Sequence, residues 1–448
     1  MPAGSERSGL VRAALDVLAR NRRGAWTCPS AGIYPHQWLW DSCFIAIGLA
    51  AHDPLRAADE VKAALRGQWS NGMVPHMVFA DSVQDAGSTR LWQSRRDPRA
   101  PRGVDTSCIT QPPILAIAVR YVSRHLTGEE RRSFLLAVMP KIVEYHRWLY
   151  RERDLEHCGL VTLIHPWECG LDTTPPWMAV LRELPQPRWL RLVLRWRLTR
   201  LVRFLRRDTR FVPAVERSSD DDGLRMLVLA RRLKQYGFDL RRLPPSGSVR
   251  VQDVSFNALL VVANRMLLTL AEEIGLELDA HLTASFRDTT DGLEDLWDES
   301  VGRYCSRDTS TGQLLTTPTI ATFVVLWAGS RSDRARRLIQ ALHDDGWSPA
   351  FPVPSVRTDA PQFDAARYWK GPTWINTNWL VIQGLRARRE VRLAGELRAT
   401  TLRLIEQGGF GEYFSPLTGE RRGADDFSWT AALTLELLQT AGENEASC

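Results

Sequence analysis

Strand-like alternation is scarce in this chain, and so are the marks of a disulfide framework, a metal site or a membrane span. The seven cysteines, Cys28, Cys43, Cys108, Cys158, Cys169, Cys305 and Cys448, are odd in number, widely scattered and never in a Cys-x-x-Cys pair. That pattern excludes a disulfide scaffold and a zinc site of ordinary spacing, and it predicts reduced thiols. The nine histidines never stand in His-Glu-x-x-His order, and neither a Gly-x-Ser-x-Gly elbow nor a phosphate loop is present. No metal and no cofactor is therefore expected, a metal gathered from distant carboxylates being the one arrangement that spacing leaves open. No apolar run reaches about eighteen residues, so no membrane span is expected. Met1-Pro-Ala-Gly-Ser-Glu-Arg7 has no apolar core like that of a secretory signal, which points to the cytoplasm. A net charge of +6 raises the question of nucleic acid. Acidic residues are interspersed almost everywhere, so a slightly basic soluble protein with no nucleic-acid partner is the reading.

What is abundant is tryptophan and helical periodicity. Seventeen tryptophans occur, several beside Gly, Pro, Asn or Asp, where stacking on a ligand explains them better than a core does. Hydrophobic residues at 44% and charged ones at 25% describe an ordinary globular chain. Its 448 residues would allow about three domains by length, but helical patterns run from end to end and predict one domain over 1–448. They fall near Leu10 to Arg22, Asp41 to His52, Leu55 to Trp69, Gln111 to Arg124, Glu129 to Arg151, Leu224 to Tyr236, Val254 to Ile274, Ala280 to Trp297, Pro318 to Ala328, Asp333 to His343, Pro372 to Arg388, Val391 to Glu406 and Asp425 to Leu438. Asp53-Pro54, the capping-box pattern Thr127-Gly-Glu-Glu130 and Thr317-Pro318 mark starts. About a dozen helices joined by turns predict an all-α protein of helix pairs stacked around a ring.

Hairpins are expected at Leu296 to Gly312 and at Gly409 to Gly419, where aromatics surround a Gly or Pro turn. Residues 70–105 and 173–252 are poorly periodic and read as inserted lids. Within the second, residues 188–207 place arginines on one helical face and Leu, Val and Trp on the other. A helix lying on an anionic membrane is one reading. A cap helix packing its apolar face on the body, with its arginines solvated, is favoured over it.

The stretch the rest is organised around is His165-Pro-Trp-Glu-Cys-Gly-Leu-Asp-Thr-Thr-Pro-Pro-Trp177. Glycosidic cleavage needs two carboxyl groups flanking the bond, one held protonated and one ionised. Asp172 has the setting of the donor: it lies in a turn of Gly170, Pro175 and Pro176 between Trp167 and Trp177, whose rings would lower the local polarity and raise its pKa. An N-cap beside Thr173 and Thr174 is the competing reading. Glu168 is a rival donor, ranked below Asp172 as hydrogen-bonding support. Glu412 is the partner carboxylate, set in Gly408-Gly-Phe-Gly-Glu-Tyr-Phe414, where small residues let it line a pocket. Glu420, Asp425 and Asp426 read instead as turn and helix-start residues. Trp38, Trp40 and Asp41 stand together before an apolar helix, Asp41 either holding sugar hydroxyls or capping that helix. In Tyr368-Trp-Lys-Gly-Pro-Thr-Trp-Ile-Asn-Thr-Asn378, Pro372 begins a helix, Gly371 permits close approach, and Trp374 with Asn376 face a ligand.

Together these segments resemble glycoside hydrolase family 63, most closely its small bacterial members that hydrolyse glucosylglycerate or mannosylglycerate. The likeness rests on Tyr34 to Gly48, Asn71 to His76, Ile109 to Pro113, Trp167 to Asp172, Tyr368 to Asn376 and Gly409 to Glu420, in the family's order. It implies an (α/α)6 barrel with a cap of inserted segments, and hydrolysis with inversion, Asp172 as general acid and Glu412 as general base, their carboxyls roughly 6.5 to 9.5 Å apart. By the same resemblance Tyr34, Trp38, Trp40, Asp41, Gln111, Trp374 and Asn376 line the sugar subsite. His76 and Arg217 lie near the aglycone, where a cation pairs with a glycerate carboxylate. Trp167, Trp177, Tyr368, Trp369, Lys370 and Gly371 complete the candidate substrate-binding set. The chain departs from the family in the cap, where Gly223 and Met226 stand in place of two tyrosines, and around the acid at Cys169, Thr173 and Pro176. The expected partner is a small carbohydrate: glucosylglycerate, mannosylglycerate or a short α-gluco-oligosaccharide. A trehalase-like or glucoamylase-like enzyme, and a non-catalytic sugar-binding protein on the same scaffold, are the alternatives.

Overall fold

The computed structural model describes residues 2–81, 83, 86–199, 208–244 and 247–445. Sixteen α-helices lie among the described residues. In chain order they are α1 (Pro2–Arg20), α2 (Leu39–Leu49), α3 (Pro54–Leu65), α4 (Ala86–Trp92), α5 (Leu115–His125), α6 (Gly128–Arg153), α7 (Pro175–Glu183), α8 (Arg188–Arg195), α9 (Asp220–Gln235), α10 (Val254–Ile274), α11 (Ala280–Glu294), α12 (Ala321–Ala328), α13 (Ser332–Ala341), α14 (Ile375–Ala387), α15 (Val391–Gly408) and α16 (Ser428–Glu445).

Composition sorts these helices into two rings. Every residue of α2 and of α12 is buried, and α14 is buried from Ile375 through Leu385. A helix that is apolar on all sides must be surrounded on all sides. Accordingly α2 packs on α5, α5 on α10, α10 on α12, α12 on α14, α14 on α16, and α16 back on α2, which closes an inner ring of six. Each inner helix is backed by an amphipathic one: α3 lies on α2 and α5, α6 on α5 and α10, α11 on α10, α13 on α12, α15 on α14 and α16, and α1 on α16. The architecture is an (α/α)6 barrel. By length and composition α10 could cross a membrane, but most of it is buried as an inner-ring helix. The four remaining helices come from the two aperiodic stretches, α4 from 70–105 and α7 to α9 from 173–252, and α9 packs on both α4 and α7.

Several helix starts differ from expectation, for a common reason. The helix expected from Pro318 begins at Ala321, that from Pro372 at Ile375, and that from Asp425 at Ser428. Ahead of each, the backbone is engaged sideways: Thr319 pairs with Val356, Thr373 with both Pro354 and Phe414, and the Ser428 amide donates to the Pro29 carbonyl at 2.9 Å. These extended straps tie the N-terminal ends of the inner helices together. Asp53 caps α3 through the Arg56 amide at 3.0 Å as expected, whereas Thr127 precedes α6 without a side-chain cap. The expected hairpins form at Trp297–Asp298 with Arg303–Tyr304, at Ser306–Asp308 with Gln313–Leu315, and at Tyr413–Phe414 with Arg421–Arg422. Of the expected basic helix over 188–207, α8 ends at Arg195 and residues 200–207 lie outside the described residues. Its apolar face is laid on the body in part, as favoured above: Leu190 is buried and Val193 and Leu194 are half-buried, but Trp189 and Leu192 are exposed.

In the inner ring α2 and α16 approach each other closely. A Cβ on Gly48 would lie 2.0 Å from the Ala432 carbonyl oxygen, so only glycine permits it. Gly48→Ala is expected to lower stability by about 1–3 kcal/mol, the range for overpacked cores, in a urea titration of the whole chain. An unchanged midpoint would mean the ring is looser here than the backbone separation implies.

Candidate active site

At the N-terminal ends of the inner helices lies a cavity walled by aromatic and carboxyl side chains. Trp38 precedes α2, and Trp40 and Asp41 form its first turn; Gln111 stands in the strap before α5; Tyr368 and Trp369 lie in a short 3-10 turn before α14; Glu412 follows α15; and Phe427 and Trp429 bracket the start of α16. Asp172 enters from the loop between α6 and α7, over Gly170. Gly170 has a φ of +75°, and a Cβ there would come within 2.7 Å of the Trp40 ring. Glycine is thus what lets the Asp172 loop close onto that tryptophan. The two carboxyl groups, 240 positions apart in sequence, share this one aromatic-walled cavity.

Their surroundings are opposite. Glu412 is buried, and every hydrogen bond to it is donated by its partner: Tyr34 Oη to Oε1 at 2.8 Å, Arg217 to both oxygens at 3.0 and 2.9 Å, and the Ala424 amide to Oε2 at 2.8 Å. That is how an ionised, acceptor-only carboxylate is held. Asp172 looks into the cavity, otherwise enclosed by protein. Burial pushes its pKa up to about 7, the Glu412 charge adding to the rise, while Arg217 and a hydrogen bond with Tyr368 oppose it. Asp41 sits inside the first turn of α2, not at its cap, which is Trp38. Burial first, then Glu412 and Asp172, hold its carboxyl well above the usual range, so it can both donate to and accept from a sugar hydroxyl.

The loop bearing Asp172 is pinned from behind. Glu168 accepts from Arg153 at 2.7 and 3.0 Å and from the Ile164 amide at 2.7 Å, a fully buried pair outside the cavity wall. It acts as hydrogen-bonding support. Asp172 does not cap a helix either, since Thr174 precedes α7. His165, kept neutral by burial that lowers its pKa to about 4, bonds the Met226 carbonyl at 3.0 Å and so ties the loop to α9.

Of the candidate residues, Tyr34, Trp38, Trp40, Asp41, Gln111, Asp172, Tyr368, Trp369 and Glu412 share the cavity wall. The others stand behind it. Trp374 stacks on Trp369 with ring centroids 3.7 Å apart, backing the wall rather than forming it. Trp177 is buried with its Nε1 donating to Asp253 at 2.9 Å. His76 is buried, bonds Ser107 at 2.5 Å, and packs edge-on to Trp38 and parallel to Trp167. Lys370 donates to Asp222 at 2.8 Å, and the Gly371 amide to Ser355 at 2.9 Å. Asn376 is fully buried in the first turn of α14, with no partner among the described residues for either side-chain polar atom. Arg217, expected beside the aglycone, is engaged with Glu412, with Asp208 at 3.3 Å, and with the rings of Tyr34 and Tyr368. The Glu412 carboxylate and the aromatic faces are what draw it there.

Sequence reasoning passed over Pro29, Phe427 and Trp429, which also line the cavity. Trp429 carries the same signal that singled out Trp38 and Trp40, a tryptophan at a polar helix start. The indole N–H groups of both Trp38 and Trp429 have no partner among the described residues. Glu216, which accepts from the Gly423 amide at 2.9 Å and from Arg422 at 3.1 Å, braces the Glu412 hairpin. No spacing in the sequence foretold it. At Gly223 a Cβ would meet nothing within 4 Å among the described residues.

A cavity with one carboxyl poised to donate, one shaped to accept and tryptophan faces between them suits acid–base cleavage of a glycosidic bond. Residues 34–430 match the mannosylglycerate hydrolase MGH1-like glycoside hydrolase domain. The chain is 39% identical to the mannosylglycerate hydrolase of Thermus thermophilus over 94% of its own length and 99% of the relative's. It is 33% identical to the glucosylglycerate hydrolase of Mycolicibacterium hassiacum, covering 96% and 97%. Among solved structures, the family 63 mannosylglycerate hydrolase of Thermus thermophilus in complex with Tris and D-glycerate superposes with a TM-score of 0.85 at 38% identity, covering 96% of this chain and 100% of that one. The neutral trehalase of Saccharomyces cerevisiae, at 14% identity and a TM-score of 0.52 over 94% of this chain and 75% of that one, shares the fold alone.

The displaced pKa of Asp172 has a stability consequence. A carboxyl whose folded-state pKa lies near 7, above its unfolded value near 4, makes the folded state bind the extra proton, so stability falls as pH rises through that window. Asp172→Asn removes the buried charge. It is expected to raise the melting temperature above that of the parent at pH 8 and to lose most of that advantage at pH 4. Equal differences at the two pH values would overturn the assignment of a proton to Asp172.

Proposed function

The chain belongs to the mannosylglycerate hydrolase MGH1-like glycoside hydrolases of family 63 and is a glycoside hydrolase; on that footing we propose that it cleaves mannosylglycerate or glucosylglycerate with inversion. Asp172 is the general acid and Glu412 the general base. The observation that carries this reading is the pair of opposed environments on one cavity, Asp172 raised to about 7 by burial and Glu412 surrounded by donors.

Asp172 gives its proton to the glycosidic oxygen as the bond from that oxygen to the anomeric carbon breaks. A water on the opposite face of the sugar gives a proton to Glu412 while its oxygen bonds the anomeric carbon. The products are the free sugar, inverted at that carbon, and glycerate. Trp40 and Trp369 offer flat faces for the pyranose, and Asp41 and Gln111 offer polar groups for its hydroxyls. Arg217, bound to Glu412 and Tyr34 behind the wall, holds the base carboxylate in place. Relatives named for these two glycosylglycerates support this substrate class.

Asp172→Ala and Glu412→Ala are each expected to lower kcat by about 10²–10⁴-fold, the usual contribution of a general acid or base, on mannosylglycerate or glucosylglycerate. Full activity in either variant would defeat the assignment. Proton NMR of the first product should show the anomer opposite to that of the substrate, and retention would rule out the direct displacement. Because the acid must carry its proton, kcat/KM is expected to fall as pH rises through about 7. A panel including short α-glucans separates the glycerate substrates from an oligosaccharide.

A further inference from the structure

The hydrolase reading leaves one feature of the cap without a task. Eight of the twenty residues 188–207 are arginine and none is acidic, in a chain whose charges are otherwise mixed. Within this stretch α8 spans Arg188–Arg195, with Trp196 at its C-cap. Leu190 turns inward and is fully buried, whereas Trp189, Leu192 and Trp196 are 48%, 55% and 67% exposed. At about 100° per residue, Arg188, Arg191 and Arg195 share one sector of roughly 60°. Leu192, Trp196 and Trp189 share the sector of roughly 60° beside it. The outward half of α8 is therefore two parallel bands, one of guanidinium groups and one of aromatic and aliphatic side chains. A hydrogen bond of 2.7 Å from Thr199 to Asp221 fixes the end of this segment to α9.

We propose that α8 is a docking surface for an anionic lipid bilayer, on which the enzyme sits through its cap. Guanidinium groups pair with lipid phosphates in the bidentate way they pair with any phosphate. Tryptophan rings settle at the headgroup level, and a leucine beside them reaches the acyl boundary, as in helices that lie in the plane of a membrane. Net charge matters because the cytoplasmic-type anionic surface attracts clustered basic residues and holds them only at short range. Nucleic acid would use the arginine band and stack a base on Trp196, but it gives the exposed Leu192 nothing to contact. A groove on a protein partner would enclose a helix from both sides, and one side of α8 already rests on its own body through Leu190. A plane carrying negative charge over an apolar layer matches both bands at once. The proposal stands on the cap alone, so it holds or fails apart from the assignment of Asp172 and Glu412.

The full-length protein is mixed with sucrose-loaded vesicles, either phosphatidylglycerol with phosphatidylcholine in equal parts or phosphatidylcholine alone, in roughly 0.1 M salt, and sedimented. It is expected to pellet with the anionic vesicles, to stay in solution with the neutral ones, and to be released as salt is raised toward about 1 M. Two variants divide the bands: Arg188→Gln with Arg191→Gln and Arg195→Gln, and Trp189→Ser with Trp196→Ser. Each is expected to reduce the pelleted fraction at least about tenfold while keeping the parent's melting temperature. Protein that remains in solution with both vesicle types overturns the proposal. So does equal binding to both, or anionic binding that neither variant weakens. An RNA mobility shift lost in the arginine variant, without vesicle binding, would assign the surface to nucleic acid instead.

Discussion

The buried ion pair of Arg217 with Glu412 sets the charge state of the whole cavity. Taking both ions out of water costs several kcal/mol each, which is recovered only when every donor and acceptor is matched. Here they are: Glu412 also accepts from Tyr34 and the Ala424 amide, and Arg217 also donates to Asp208. With the guanidinium committed to Glu412, ionising Asp172 or Asp41 would add a second negative charge to an enclosed space. Both carboxyls are accordingly pushed toward their neutral forms. Two carboxyl groups of nearly equal intrinsic acidity thereby meet opposite surroundings.

The barrel explains why such an arrangement persists. Its inner helices present their N-terminal ends to the cavity, and the straps before them exchange backbone hydrogen bonds with one another, as between Thr373 and Phe414. Side chains in the first turns, Trp40 and Asp41 among them, stand on rigid elements and not on free loops. Arg217 belongs to the stretch between α7 and α10 that also contains α8 and α9, so the cation that holds Glu412 comes from outside the two rings. Lys370 on Asp222 and His165 on the Met226 carbonyl add two further links between cap and barrel.

Legibility in the sequence divides along these lines. The helices were readable because a 3.6-residue period survives wherever a face is buried, and α10 was found at its observed bounds. Their starts were misplaced at Pro318, Pro372 and Asp425, since proline and aspartate punctuate an extended strap as readily as a helix start. Asp172, Glu412 and the tryptophans around Trp40 were picked out by carboxyls set among Gly, Pro and Trp. The same cue could not separate the wall from what lies behind it. Trp369 and Trp374 read alike in sequence, yet one faces the cavity and the other stacks on its far side. Glu216 carried no cue at all, because its partners, Arg422 and the Gly423 amide, lie about two hundred positions away.

The order of residues alone determined an all-helical chain with paired carboxyls in tryptophan-rich turns, since periodicity and local composition are properties of neighbours along the chain. Which carboxyl is pushed toward its neutral form, which tryptophan lines the cavity, and where Arg217 spends its charge were decided only by tertiary structure. Burial and the distance to a counter-charge depend on segments hundreds of positions apart, and no local pattern encodes them.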